Sequence, residues 1–156
     1  LDRFVIPHLR AGKQVYFIVV DCLRLDHWLS IEPLVEPYFH IDRNYYFSIL
    51  PSATLYARNA IFSGLFPQEL AENLPQYWQE GSGAQTGSNR FEKELLQLKL
   101  RNAELTLKPS LKYFKIFDSK GGNEYIRQVS SFERISLSAL IVNFLDMSKL
   151  LNKTIS

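Results

Sequence analysis

Residues 15–20 read VYFIVV, an unbroken run of aromatic and β-branched side chains with Gly12 shortly before it and Asp21 directly after. With no polar residue inside, the run predicts a strand covered on both faces, the kind that belongs to the sheet of an α/β fold. Residues 23–38, LRLDHWLSIEPLVEPY, put Leu25, Trp28, Leu29 and Leu34 near one face of a short helix, kinked or broken at Pro33 and ended by Pro37. Residues 39–49, FHIDRNYYFSI, open with an alternation that suggests another strand before YYF interrupts it. In residues 50–67, LPSATLYARNAIFSGLFP, Ser52 is placed to cap a helix carrying Leu55, Ala57, Ala60, Ile61 and Phe62, which Gly64 and Pro67 stop.

Further along, EGSGAQTGSN at 80–89 is glycine-rich and nearly devoid of apolar side chains, a surface loop by composition. FEKELLQLKLRNAEL at 91–105 spaces Phe91, Leu95 and Leu98 as one face of an amphipathic helix. KYFKIF at 112–117 and SLSALIVNFL at 136–145 predict two more strands, the latter buried. Buried strands alternating with helices specify a sheet covered by helices on both sides. The expected organisation is one domain over 1–156, with residues 68–110 read as an insertion over the sheet.

Composition narrows the function. At 156 residues, 46% apolar and 22% charged, the chain has the make-up of a globular domain, not of a disordered or fibrous chain. A formal charge of +2 supplies no basic stripe for duplex DNA, so a DNA scaffold partner is not expected, while a nucleotide substrate stays open. The single Cys22 excludes an internal disulfide and any zinc site built on two thiolates. With only His8, His27 and His40 besides, a metal must rely on carboxylates, and the histidines read as structural or surface residues. No apolar run approaches the roughly 20 residues of a membrane span, and LDRFVIPHLRAGK lacks the apolar core of a secretory signal, so a cytoplasmic address is expected with no membrane partner.

Three predicted strands end in an acid, at Asp21, Asp118 and Asp146. In open α/β sheets ligands bind beyond the carboxyl ends of the strands, so these acids can share a rim and hold metal, or each can simply cap the next helix or turn. Thr54 opens the next helix, where free N–H groups and the helix dipole favour an anion; it is either a nucleophile toward phosphorus or only a cap. Arg58, one turn later, can hold a phosphate oxygen or pair with a surface acid.

Together, FIVVDCLRLDHW and PSATLYARNAIFSGLFP resemble the alkaline phosphatase superfamily, and its PglZ branch most closely. Within that branch VVDCLRLD, ARNAIFSG and SALIVNFLDM look like the effector domain of PorX-type response regulators, which carry a receiver domain upstream and act with type IX secretion systems. The resemblance implies an alkaline-phosphatase-like three-layer α/β/α sandwich, incomplete at its C-terminal end. It further implies Asp21 and Asp146 as metal ligands, Thr54 as nucleophile and ligand, two zinc ions, and phosphodiesterase chemistry, with oligonucleotides among the substrates. An upstream receiver domain and secretion-regulation proteins are the partners it implies, and Arg58 is the residue assigned to the substrate phosphate. The sequence departs from the family pattern after NFLDM, where position 150 is Leu150 in place of a histidine and no later histidine follows. The alternative reading is therefore a non-catalytic interaction module that keeps the fold and the Asp21 to Thr54 signature without a complete metal site.

Overall fold

The computed structural model describes residues 1–50, 53–78, 90–105 and 110–143. In chain order the elements are α1 (Ile6–Arg10), β1 (Val15–Val20), α2 (Leu25–Val35), α3 (Thr54–Ser63), α4 (Pro67–Asn73), α5 (Glu92–Asn102), β2 (Leu111–Ile116), α6 (Ser119–Val129) and β3 (Leu137–Val142), with single 3₁₀ turns at Pro75–Tyr77 and Ser130–Phe132.

The three strands form one parallel sheet in the order β1-β3-β2, with Val15 and Leu111 both in register with Leu137, and Val20 and Ile116 both in register with Val142. The central strand, LSALIV, is buried along nearly its whole length, as the apolar run in SLSALIVNFL predicts. The expectation for VYFIVV is corrected: Val15, Phe17 and Val19 face inward, but Tyr16, Ile18 and Val20 are exposed. Among the described residues β1 is an edge strand, and Tyr16, Ile18 and Val20 are left 45%, 54% and 37% exposed.

One face of the sheet carries the main core. Leu137, Ala139 and Ile141 of β3 pack with Phe62 of α3, Leu70 of α4 and Leu95, Leu96 and Leu100 of α5, while Val15, Phe17, Val19, Leu111 and Tyr113 close the sides. Phe62 meets Phe17 and Tyr113 edge-on. Segment 68–110 thus contributes α4 and α5 to the principal core, and its glycine-rich stretch at 80–89 lies outside the described residues. On the opposite face Phe114 of β2 packs against Tyr125 of α6 and Phe132. The result is an α/β fold with helices on both sides of a small parallel sheet.

Local chemistry accounts for most boundaries. Gly64 ends α3 in the left-handed conformation (φ 69°), where a side chain is strained. Ser52, the expected cap, lies outside the described residues; the residue preceding α3 is Ala53, which has no capping side chain. α2 runs through Pro33 to Val35 without breaking, although Pro33 has no N–H to donate to the Leu29 carbonyl one turn earlier. The strand expected at 39–49 does not form; these residues are irregular and mostly exposed, because no described strand lies alongside to pair with their backbone. They are tied down instead by Arg43, whose guanidinium donates to both oxygens of buried Glu32 at 2.7 and 2.6 Å. No described helix is long and apolar enough to cross a membrane.

Candidate functional site

The site forms at the carboxyl ends of β1 and β3. The Asp21 N–H donates to the Val142 carbonyl at 2.9 Å, and the Asn143 N–H to the Ile116 carbonyl at 2.8 Å, extending the ladder one step past each strand. Asp21 and Asn143 therefore stand side by side at the rim. Cys22 then turns the chain away in the left-handed conformation (φ 58°), a strained state for a residue with a side chain. Its thiol lies 3.8 Å from Asp21 Oδ1. Desolvation first, then the Asp21 charge, pushes the thiol pKa up, so Cys22 is a neutral neighbour of the carboxylate and not a thiolate.

α3 brings two side chains to this rim from 33 and 37 residues away. Thr54, its first residue, holds Oγ1 at 3.5 Å from Asp21 Oδ1, a loose contact at the limit of a hydrogen bond. Arg58, one turn further on, is only 5% exposed. Its Nη1 donates to Asp21 Oδ2 at 3.3 Å and to Asn143 Oδ1 at 3.2 Å. On its other side Nη2 donates to Glu92 Oε2 at 2.8 Å, and Nε lies 2.6 Å from Glu92 Oε1.

Glu92 is fully buried at the first residue of α5, where the helix dipole favours an acid. Besides Arg58, its Oε2 accepts from Tyr113 Oη at 2.7 Å and pairs with Lys115 Nζ at 2.8 Å, both from β2. Burial first, then the bond to Glu92, raises the Tyr113 pKa far above its ordinary value, so the phenol stays protonated and donates. Two carboxylates and two cations balance here, and each cation touches a carboxylate, which is what burial of such groups demands.

Asp21, Thr54 and Arg58 are thus brought together as the sequence pattern anticipates. Arg58, however, pairs with two sheltered acids and not with a surface acid. Asp118 instead caps α6, accepting from the Gly121 N–H at 2.8 Å. Asp146 lies outside the described residues. His27 is on α2 with a buried Nδ1, and His40 is an exposed partner of Asp42. Sequence reasoning missed Glu92, Tyr113, Lys115 and Asn143. Only Asn143 carried a signal, as the residue following a buried strand just as Asp21 follows β1.

Comparison with known families matches residues 1–153 to PglZ, described as the BREX system PglZ alkaline phosphatase-like domain. Comparison with curated proteins gives no match. The alkaline phosphatase-like superfamily generally uses metal ions. Among the described residues no group of three or more His, Cys, Asp and Glu could hold one. Among the described residues Asp21 is the one carboxylate in contact with Thr54, and the Arg58 cation already lies against its Oδ2. The described donor set by itself falls short of a centre for two zinc ions, which needs several anionic or imidazole ligands.

Proposed function

The chain belongs to the PglZ family of alkaline phosphatase-like domains, and from that premise we propose that it hydrolyses phosphodiesters with Thr54 as the nucleophile. The observation that carries this reading is the convergence of the Thr54 hydroxyl and the Arg58 guanidinium on one carboxylate, Asp21, at the carboxyl end of the sheet. Thr54 opens α3, so a phosphoryl group approaching its Oγ1 meets the unpaired N–H groups and positive dipole end of that helix. Asp21 Oδ1 faces the hydroxyl and orients its proton, while Arg58 Nη1 takes a non-bridging oxygen by exchanging one of its two long contacts, to Asp21 Oδ2 or to Asn143 Oδ1. Attack forms the bond from Thr54 Oγ to phosphorus and breaks the bond to the leaving alkoxide, the hydroxyl proton passing by way of Asp21 Oδ1 to that alkoxide so that it departs as the alcohol; water then hydrolyses the threonyl phosphodiester, returning the Thr54 hydroxyl and releasing a phosphomonoester.

An oligonucleotide is the substrate we assign, with a receiver domain upstream, secretion-regulation proteins as partners and a cytoplasmic address; these rest on the resemblance of VVDCLRLD and ARNAIFSG to PorX-type effector domains. Zinc as the ion and Asp146 as a further ligand rest on the same resemblance. The second reading, an interaction module, is favoured by the Asp21 to Arg58 ion pair, which completes a charge-balanced structural network without any ligand.

Hydrolysis of a chromogenic phosphodiester in the presence of zinc separates the two. Thr54→Ala is expected to lower turnover by at least about 100-fold with the fold intact, since the covalent step is lost. Equal turnover in wild type and variant removes Thr54 from the chemistry, and a folded wild-type chain without turnover selects the interaction module.

A further inference from the structure

We infer that Glu92 is a positioning residue for the site, holding Arg58 so that one guanidinium nitrogen is presented at the Asp21 rim for an anionic phosphoryl oxygen. The ligand named here rests on the phosphodiesterase reading; the clamp itself rests on geometry. An arginine side chain has several rotatable bonds, and without a fixed partner its fork samples many orientations. Glu92 holds the fork through one hydrogen bond, from Nη2 at 2.8 Å, with Nε in charge contact with Oε1 at 2.6 Å but not aligned for a second bond, which leaves Nη1 as the nitrogen turned toward Asp21 and Asn143. The hydrogen bond sets direction, and the charge contact beside it adds attraction in a site closed to water.

Glu92 is itself immobilised. Its backbone starts α5, its carboxylate is 0% exposed, and Tyr113 and Lys115 hold Oε2 from β2. The network therefore joins the helix that carries Thr54 to the sheet that carries Asp21, through side chains from α3, α5 and β2. Buried ion pairs of similar volume to apolar residues add little net stability, so the expense of desolvating these charges has its counterpart in geometry.

The test uses the ¹⁵N-labelled chain, observing the arginine Nε–H resonances and titrating inorganic phosphate. The Arg58 signal, assigned by its loss in Arg58→Lys, is expected to stand apart from the solvent-exposed arginines and to exchange slowly. Glu92→Gln is expected to move it among the exposed signals and to weaken phosphate binding about 10-fold, close to the effect of Arg58→Lys, with the double variant no weaker than either single one. An Arg58 resonance unmoved in folded Glu92→Gln, or losses that multiply in the double variant, overturns the inference. Should Glu92→Gln not fold, Tyr113→Phe removes one bond to Glu92 while keeping every charge; a smaller displacement of the Arg58 signal in the same direction supports the clamp, and an unmoved signal overturns it. A wild-type chain that neither binds phosphate nor hydrolyses a phosphodiester defeats the phosphodiesterase reading, while the resonance shift in Glu92→Gln still decides the clamp.

Discussion

The two faces of the sheet solve the burial problem differently. On one, Val15, Phe17 and Val19 of β1 continue a core shared by β3, α3, α4 and α5, and the charged cluster around Glu92 is sealed within the same layer. On the other, α6 covers β2, whereas Tyr16, Ile18 and Val20 of β1 are exposed, Ile18 by 54%. Six neighbouring residues of near-identical hydrophobicity therefore differ in what they contribute to stability. A strand's apolar content reports what it can bury, and its neighbours decide how much of that is realised.

The contrast is sharpest in Leu96→Ala. Leu96 is fully buried between α5 and the sheet, so truncation should cost about 2–5 kcal/mol, read as a lowered denaturation midpoint with unchanged slope. A loss below about 1 kcal/mol would mean that the covered face is as loose as the open one.

An intermediate effect is expected from the covered face at high pH. The folded Tyr113 pKa is raised, so its stabilising contribution is complete below the ordinary phenol value near pH 10 and is lost as pH rises above it. Tyr113→Phe should lack that part of the decline, a difference of at most about 1 kcal/mol per pH unit, given partial screening by solvent. Identical slopes for the two chains between pH 10 and 11 would place the phenol in contact with water instead of Glu92.

The smallest change belongs to the open face. Ile18→Thr should alter stability by no more than about 0.5 kcal/mol, since exposed positions away from caps and ion pairs are tolerant. A penalty comparable to that of Leu96→Ala would show that Ile18 is covered in solution and erase the difference between the faces.

Much of this arrangement could be read from local pattern. VYFIVV, KYFKIF and SLSALIVNFL locate the three strands, and the spacing of Leu95 and Leu98 locates α5. Asp21, Thr54 and Arg58 were visible because a strand end, a helix start and the turn after it are short-range features. α6 was not, since SKGGNEYIRQV contains two adjacent glycines, which weaken a helix; Asp118 caps it and Tyr125 anchors it on Phe114 and Phe132. FHIDRNYYFSI shows the opposite failure, an alternation that predicts a strand where no described strand lies alongside it.

By itself, then, the sequence determined the three strands, α2, α3 and α5, their order, and the acid, hydroxyl and guanidinium at a strand end and a helix start, because periodicity, capping and strand ends act over a few residues. Only the tertiary structure decided that β3 is the central strand, that β1 is open on one face, and that Glu92 serves Arg58 across 34 residues of chain. The physical reason is that each of these depends on desolvation. A glutamate at a helix start is ordinarily solvated, and this one becomes a clamp only because α3 and α5 dock on the same face and exclude water from both charges.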